Sequence, residues 1–227
     1  MQIDWFPLRL SLRVAAISTL ISLVFGLWLA WLLTQRDFRG RNVLDAGVTL
    51  PFVLPPTVLG YYLLVLLGRN SPIGQMYEWL FGQPLVFTWQ AAVVAAIVHS
   101  APLLVLSARA AFESIDHTYE RAARTLGASE WRVFRSVTLP LAWRPILAAT
   151  AVAFARSLGD FGVTIMIAGN IPGRTQTVAV AIYDAVEAGN GALARTLVVI
   201  VSAVALLILS LANRTAGVYP KSRQAAG

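Results

Sequence analysis

The chain has 227 residues, of which 57% are hydrophobic and only 13% charged. That balance excludes an ordinary soluble domain and fits a chain that crosses a membrane several times. With no cysteine, disulfide frameworks, thiol catalysis and cysteine metal sites are excluded, and the net charge of +7 falls between apolar runs instead of forming a nucleic-acid footprint.

Residues 14–33 form an uncharged run of 20, enough for about 30 Å of helix. Residues 46–68 form a second, of 23, and carry Pro51, Pro55 and Pro56. In a helix these prolines release the carbonyls of Gly47, Pro51 and Phe52 from their usual bonds. Such groups are tolerated at membrane depth when packed on protein or lining a wet cavity, so a kink and a translocation path both fit. Residues 68–88, with Pro72, Gly74 and Pro84, read as an outer connection and a docking candidate, and Tyr77, Trp79 and Trp89 as interface anchors. The run 79–108 then continues into a span with a lone His99, a neutral group bonded to a neighbouring helix; a metal role would need partners the sequence does not supply. Residues 146–173 are interrupted only by Arg156 and Asp160, and residues 196–213 make a last run of 18.

The expected architecture is one all-α integral membrane domain over residues 1–227. Its spans lie at about 10–34, 46–68, 88–110, 141–169 and 195–213, with a long loop at about 111–140. The first span is long and followed by Arg36, Arg39 and Arg41, which makes it a retained anchor and not a cleaved signal. Those arginines, with Arg109, Arg121, Arg124, Arg132, Arg135, Arg144, Arg214, Lys221 and Arg223, fall on one side; Arg9, Arg13, Arg69, Arg174 and Arg195 fall on the other. The bias puts the N-terminus outside and the C-terminus inside, with Arg9 and Arg13 dissenting.

The long loop ends in "ERAARTLGASEWRVFRSVTLPLA", residues 120–142. Asp116 suits an N-cap, Glu120 lies near the positive end of the helix that follows, and Gly127 suits the position just past its end. Ala122, Ala123 and Leu126 form a small apolar patch. A second short helix, from about Ser129, carries Trp131 and Phe134 and should stop before Pro140, because Leu139 is pushed out of the helical region. Two readings fit: a basic amphipathic helix on anionic lipid, or a knob docked on a partner, with small residues permitting close approach and arginines setting register.

This segment resembles the cytoplasmic coupling loop of ABC-transporter permease subunits. That pattern runs Glu-Ala-Ala, three residues, Gly, nine residues, Ile, one residue, Leu-Pro. Ala122, Ala123, Gly127, Leu139 and Pro140 match it and Val137 stands at the isoleucine position, but Arg121 replaces the glutamate, with Glu120 just before it. Three further stretches, "LPFVLPPTVLGYYLL" (50–64), "FARSLGDFGVTIMIAGNIPGRTQT" (154–177) and "AIYDAVEAGN" (181–190), resemble the molybdate permeases of type I importers; sulfate and tungstate permeases share parts of them.

The resemblance implies the type I importer permease fold of a bacterial inner membrane. Its partners would be a second copy of the chain, two cytoplasmic ATPase subunits, a periplasmic oxyanion-binding protein and the surrounding lipid, with no nucleic acid and no cofactor. It implies coupling residues Glu120, Arg121, Ala122, Ala123, Leu126, Gly127 and Ala128; the residues themselves point to a path at Pro55, Pro56, Thr57, Arg156 and Asp160. The cargo would be molybdate, tungstate or another oxyanion such as sulfate. No phosphate-binding G-x-x-x-x-G-K-[ST] loop is present and the sole lysine is Lys221, so ATP hydrolysis falls to a partner and the chain is not itself an enzyme.

Arg156 and Asp160 are spaced i, i+4. An isolated charge at the centre of a span costs about 3 kcal/mol, so a self-neutralising pair is one reading and an arginine facing a dianion the other. Arg174 suits a turn or an outer contact. With no cation but Arg156 in the spans, a conduit of weak affinity is expected. A small secondary transporter would more often show inverted repeats and intramembrane carboxylates, and here Asp160 stands alone. A membrane enzyme would need a catalytic set that two histidines and scattered carboxylates do not make.

Overall fold

The computed structural model describes residues 4–35 and 38–216, and every regular element among them is helical. Of the basic residues used for orientation, Arg36, Lys221 and Arg223 lie outside the described residues.

α1 (Phe6–Gln35) is followed by α2 (Arg41–Val53) and α3 (Pro56–Leu67), then the short α4 (Pro72–Phe81) and the long α5 (Trp89–Glu113). α6 (His117–Thr125) and α7 (Glu130–Val133) lead through a π turn (Phe134–Thr138) into α8 (Leu139–Leu158). The chain closes with α9 (Gly162–Ala168), α10 (Val178–Glu187) and α11 (Gly191–Ala216).

α1 and α5 pack side by side. Ala15, Ser18 and Ser22 of α1 and Ala91, Ala92 and Ala95 of α5 are fully buried, and side chains this small let two backbones approach closely where lipid gives no hydrophobic drive. The two helices run parallel. At one end the guanidinium of Arg13 lies 4.0 Å over the Trp89 ring; at the other Leu29 and Leu33 share a core with Ala108, Phe112 and Phe134. The cation–π contact gives Arg13, which dissents from the basic bias, a partner inside the fold.

Among the described residues, four helices are long and apolar enough to cross a membrane: Phe6–Thr34, Trp89–Glu113, Glu130–Leu158 and Gly191–Thr215; α2 and α3 form a pair bent by 118°. The bent pair makes a net crossing. It begins where Asp45 of α2 binds Arg109 near the end of α5, with both carboxylate oxygens 2.9 Å from Nη1, and it leads through α4 to the start of α5 at the opposite end. Five crossings therefore join the two termini of the described chain, which lie at opposite ends of the bundle.

Three expectations change. Residues 46–68 are not one helix: Pro55 (φ −56°, ψ 141°) caps α3 and Pro56 occupies its first turn, so the prolines end one helix and start another. The run 141–169 is not one helix either, because α8 stops at Leu158 and α9 begins only at Gly162. Nor does the loop helix stop before Pro140. Leu139 is helical (φ −64°, ψ −43°), and its N–H donates to the carbonyl of Phe134, five residues back. The wider π register relieves the crowding a proline ring meets in an α-helix, so α8 continues through Pro140.

Candidate functional site

Two regions gather the residues singled out in the sequence. The first is the knob formed by α6 and α7. Asp116 caps α6, its carboxylate accepting from the Thr118 N–H at 2.8 Å, and that bond holds its carboxyl below the usual carboxylate range. The other end is closed by a Schellman motif. The Gly127 N–H donates to the Arg124 carbonyl at 3.0 Å and the Ala128 N–H to the Ala123 carbonyl at 3.2 Å, with Gly127 at φ +80°. Added bulk at Gly127 would meet nothing within 4 Å, so the glycine serves its backbone angle and not a close neighbour.

Glu120 is the residue the sequence left undecided. It is only 3% exposed. Its carboxylate accepts from the Thr138 hydroxyl at 2.7 Å, and His117 Nδ1 and an Arg124 nitrogen each lie 3.5 Å away. Thr138 is the last residue of the π turn, so Glu120 ties α6 to the base of α8. Phe134, on the same turn, supplies the apolar half of the anchor: its ring lies 5.6 Å from Trp31 of α1 and 5.8 Å from Phe112 of α5. Arg124 is held by Glu130 of α7 at 2.8 Å.

The outer face of the knob follows from these ties. Leu126 is 88% exposed, and Tyr119 and Trp131 are also exposed. Ala122 and Gly127 are exposed, while Ala123 and Ala128 are half-buried. Arg121, Arg132 and Arg135 are exposed and, among the described residues, form no ion pair, whereas Glu113, Glu120 and Glu130 are all engaged by arginines of this chain.

The second region lies where the two helix breaks meet. A Cβ on Gly162 would stand 2.7 Å from Cβ of Pro56, and one on Gly60 would stand 2.6 Å from Cβ of Met166. The start of α9 is thus pressed on the start of α3. Pro55, Pro56 and Thr57 are exposed at this crossing. Arg156, in the last turn of α8, donates from Nε to the His99 carbonyl at 3.4 Å and stands 5.1 Å over the Phe52 ring. Asp160 lies past the end of α8, 5% exposed, and accepts from the Thr164 hydroxyl at 2.5 Å. Arg156 and Asp160 are therefore not the expected pair: the helix that would place them on one face ends between them. His99 uses its backbone carbonyl in place of its ring, and its buried Nδ1 has no hydrogen-bond partner among the described residues.

Residues 169–177 form a bonded turn at the opposite end from the knob. The Ile171 carbonyl accepts from the N–H groups of Arg174, Thr175 and Gln176, and Gln176 donates to Asn170 and Asp184. Arg174 stays exposed beside a cavity of about 140 Å³ that includes Phe87, Trp89 and Gln90 in its lining. Among the described residues no cluster of His, Asp or Glu could hold a metal.

The chain is 46% identical over 209 residues to the molybdenum transport system permease protein ModB of Escherichia coli (strain K12), covering 92% of this chain and 90% of that one. It is 36% identical over 203 residues to the sulfate transport system permease protein CysT of the same organism, covering 88% and 72%. The fold superposes on a chain of a bacterial ABC transporter involved in the import of the acidic polysaccharide alginate with a TM-score of 0.75 at 18% identity, covering 95% and 79%. Residues 22–216 match the family described as binding-protein-dependent transport system inner membrane component, and the chain belongs to that family.

Proposed function

We propose that this chain is the membrane permease subunit of an ATP-driven importer that carries molybdate, and tungstate with it, delivered by a periplasmic binding protein. The observation that carries this reading is the identity to a molybdenum permease, which is higher than that to a sulfate permease and spans more of the relative. Sulfate is the second reading for that reason. The knob lies in the cytoplasm, the N-terminus is periplasmic and the C-terminus cytoplasmic, in keeping with the basic bias of the loops.

Two copies form the path between them, in contact with membrane lipid and with neither nucleic acid nor cofactor. Each knob seats through Arg121, Ala122, Ala123, Leu126, Gly127 and Ala128 in a cytoplasmic ATPase subunit, which supplies the hydrolysis this chain does not perform, while Glu120, expected among the coupling residues, turns inward to Thr138 and braces the knob from behind. Closure of the ATPases on ATP moves the knobs. The Glu120–Thr138 bond and the Phe134 anchor pass that motion to α8, and so to the crossing of α8, α9 and α3 formed by Pro55, Pro56, Thr57, Arg156 and Asp160. Outward turning admits the anion; hydrolysis resets the helices inward.

The test of docking is co-purification with the ATPase. Gly127→Trp should lose the ATPase, whereas Gly189→Trp, equally left-handed at φ +68° and with nothing within 4 Å but at the opposite end, should keep it. Equal retention by both would overturn the docking role, and uptake of sulfate in preference to molybdate by the reconstituted complex would overturn the cargo.

A further inference from the structure

Arg156 is a half-buried cation in the bundle that no carboxylate of the described residues pairs with. Among the described residues it makes no ion pair within 4.0 Å, and its one hydrogen bond, to the His99 carbonyl, is long at 3.4 Å. That bond also fixes its depth. His99 is the eleventh of the 25 residues of α5, so it lies about 15 Å from one end of that helix and about 21 Å from the other. The guanidinium therefore stands near mid-depth, over the Phe52 ring at the end of α2.

Three groups nearby bear on the charge there. Asp160 is occupied by Thr164. Among the described residues, the buried imidazole Nδ1 of His99 has no hydrogen-bond partner, nor has the hydroxyl of Ser157, the residue after Arg156. The irregular backbone at residues 54–55 and 159–161 meets at the same level, where Gly162 touches Pro56. Non-helical backbone at membrane depth persists where it packs on protein or lines a wet passage. An unpaired charge there is expensive and marks a place where a counter-charge arrives.

We propose that Arg156 is a transient binding site for the oxyanion in transit, met at the crossing of the two helix breaks, with Phe52, Pro55, Pro56 and Thr57 as its wall. The proposal rests on the oxyanion-importer reading above. A guanidinium offers a planar fork that matches two oxygens of a tetrahedral oxyanion, which an ammonium cannot do. One arginine half-neutralises a dianion, and the buried carboxylate of Asp160 opposes tight retention, so the site holds the ion briefly and lets it go.

The test uses the complete permease–ATPase complex with its binding protein in liposomes, reading molybdate uptake and ATP hydrolysis in the same vesicles. Arg156→Gln should assemble with the ATPase and the binding protein as the wild type does, while uptake per ATP falls about tenfold or more, the scale of a lost charged hydrogen bond. Arg156→Lys should recover part of that loss. Wild-type uptake per ATP by Arg156→Gln would overturn the site. Parallel loss of assembly, hydrolysis and uptake in both variants would also overturn it, leaving a packing role. A wild-type complex that hydrolyses ATP but carries no oxyanion would instead overturn the importer reading on which the site depends.

Discussion

Glu120 takes its charge into the protein and not toward a partner. Its carboxylate accepts from Thr138 and sits against Arg124, so Glu120→Ala strands a buried hydroxyl and loosens an arginine. A loss of about 1–3 kcal/mol is expected, read as earlier thermal unfolding of the purified complex. Hydrolysis stimulated by the binding protein should fall more than ATPase binding does, because the bond joins the knob to α8 and leaves the outer face intact. At Gly127 the cost is conformational alone: Gly127→Ala should destabilise by about 1 kcal/mol, and Gly127→Asn by less, because asparagine tolerates the left-handed angle. The cap at Asp116 and the glycine at 127 were legible because both are local backbone requirements. The burial of Glu120 was not, because it depends on Thr138 coming to lie beside it, 18 residues on. The spacing of Arg156 and Asp160 misled for a related reason: i, i+4 implies one face only if the helix continues, and α8 ends at Leu158.

At the scale of elements, the approach of α9 to α3 is a tightly constrained contact. Gly162→Ala puts a methyl 2.7 Å from Pro56; overpacking of this kind costs about 1–3 kcal/mol and should lower both complex yield and uptake. Gly47→Ala in α2 is the control, since its new methyl meets nothing within 4 Å and helix propensity favours alanine by about 1 kcal/mol. The knob makes a different prediction. Its acidic groups are engaged within the chain while Arg121, Arg132 and Arg135 face outward, so the ATPase surface it meets should present carboxylates. Arg121→Glu should then weaken ATPase binding, and raised salt should weaken the wild-type contact in the same direction. Prolines at 51, 55 and 56 announced a disturbance of the second span, but not a bend of 118°, because kink and break share one sequence signal. Pro140 pointed the wrong way, since a π turn can carry a helix through the position where proline usually ends it.

Across the whole molecule, four of the five expected spans correspond to long apolar helices among the described residues, because hydrocarbon thickness sets run length regardless of packing, and the fifth falls on the bent pair. Which helices run side by side was not readable; it rests on contacts such as Arg13 on Trp89 and Arg109 on Asp45, made between residues far apart in the chain. The knob and the crossing of helix breaks lie at different depths of one bundle, and α8 alone reaches from Thr138 to Arg156. On the proposed reading, that single helix would be the physical basis for coupling hydrolysis at one end to passage of an anion at mid-depth. The most direct test is ATP hydrolysis by the reconstituted permease–ATPase complex with its binding protein, compared with molybdate, tungstate, sulfate and no anion. Stimulation by molybdate and tungstate but not by sulfate is the predicted result. Stimulation by sulfate alone, or a chain that never associates with an ATPase, would contradict it.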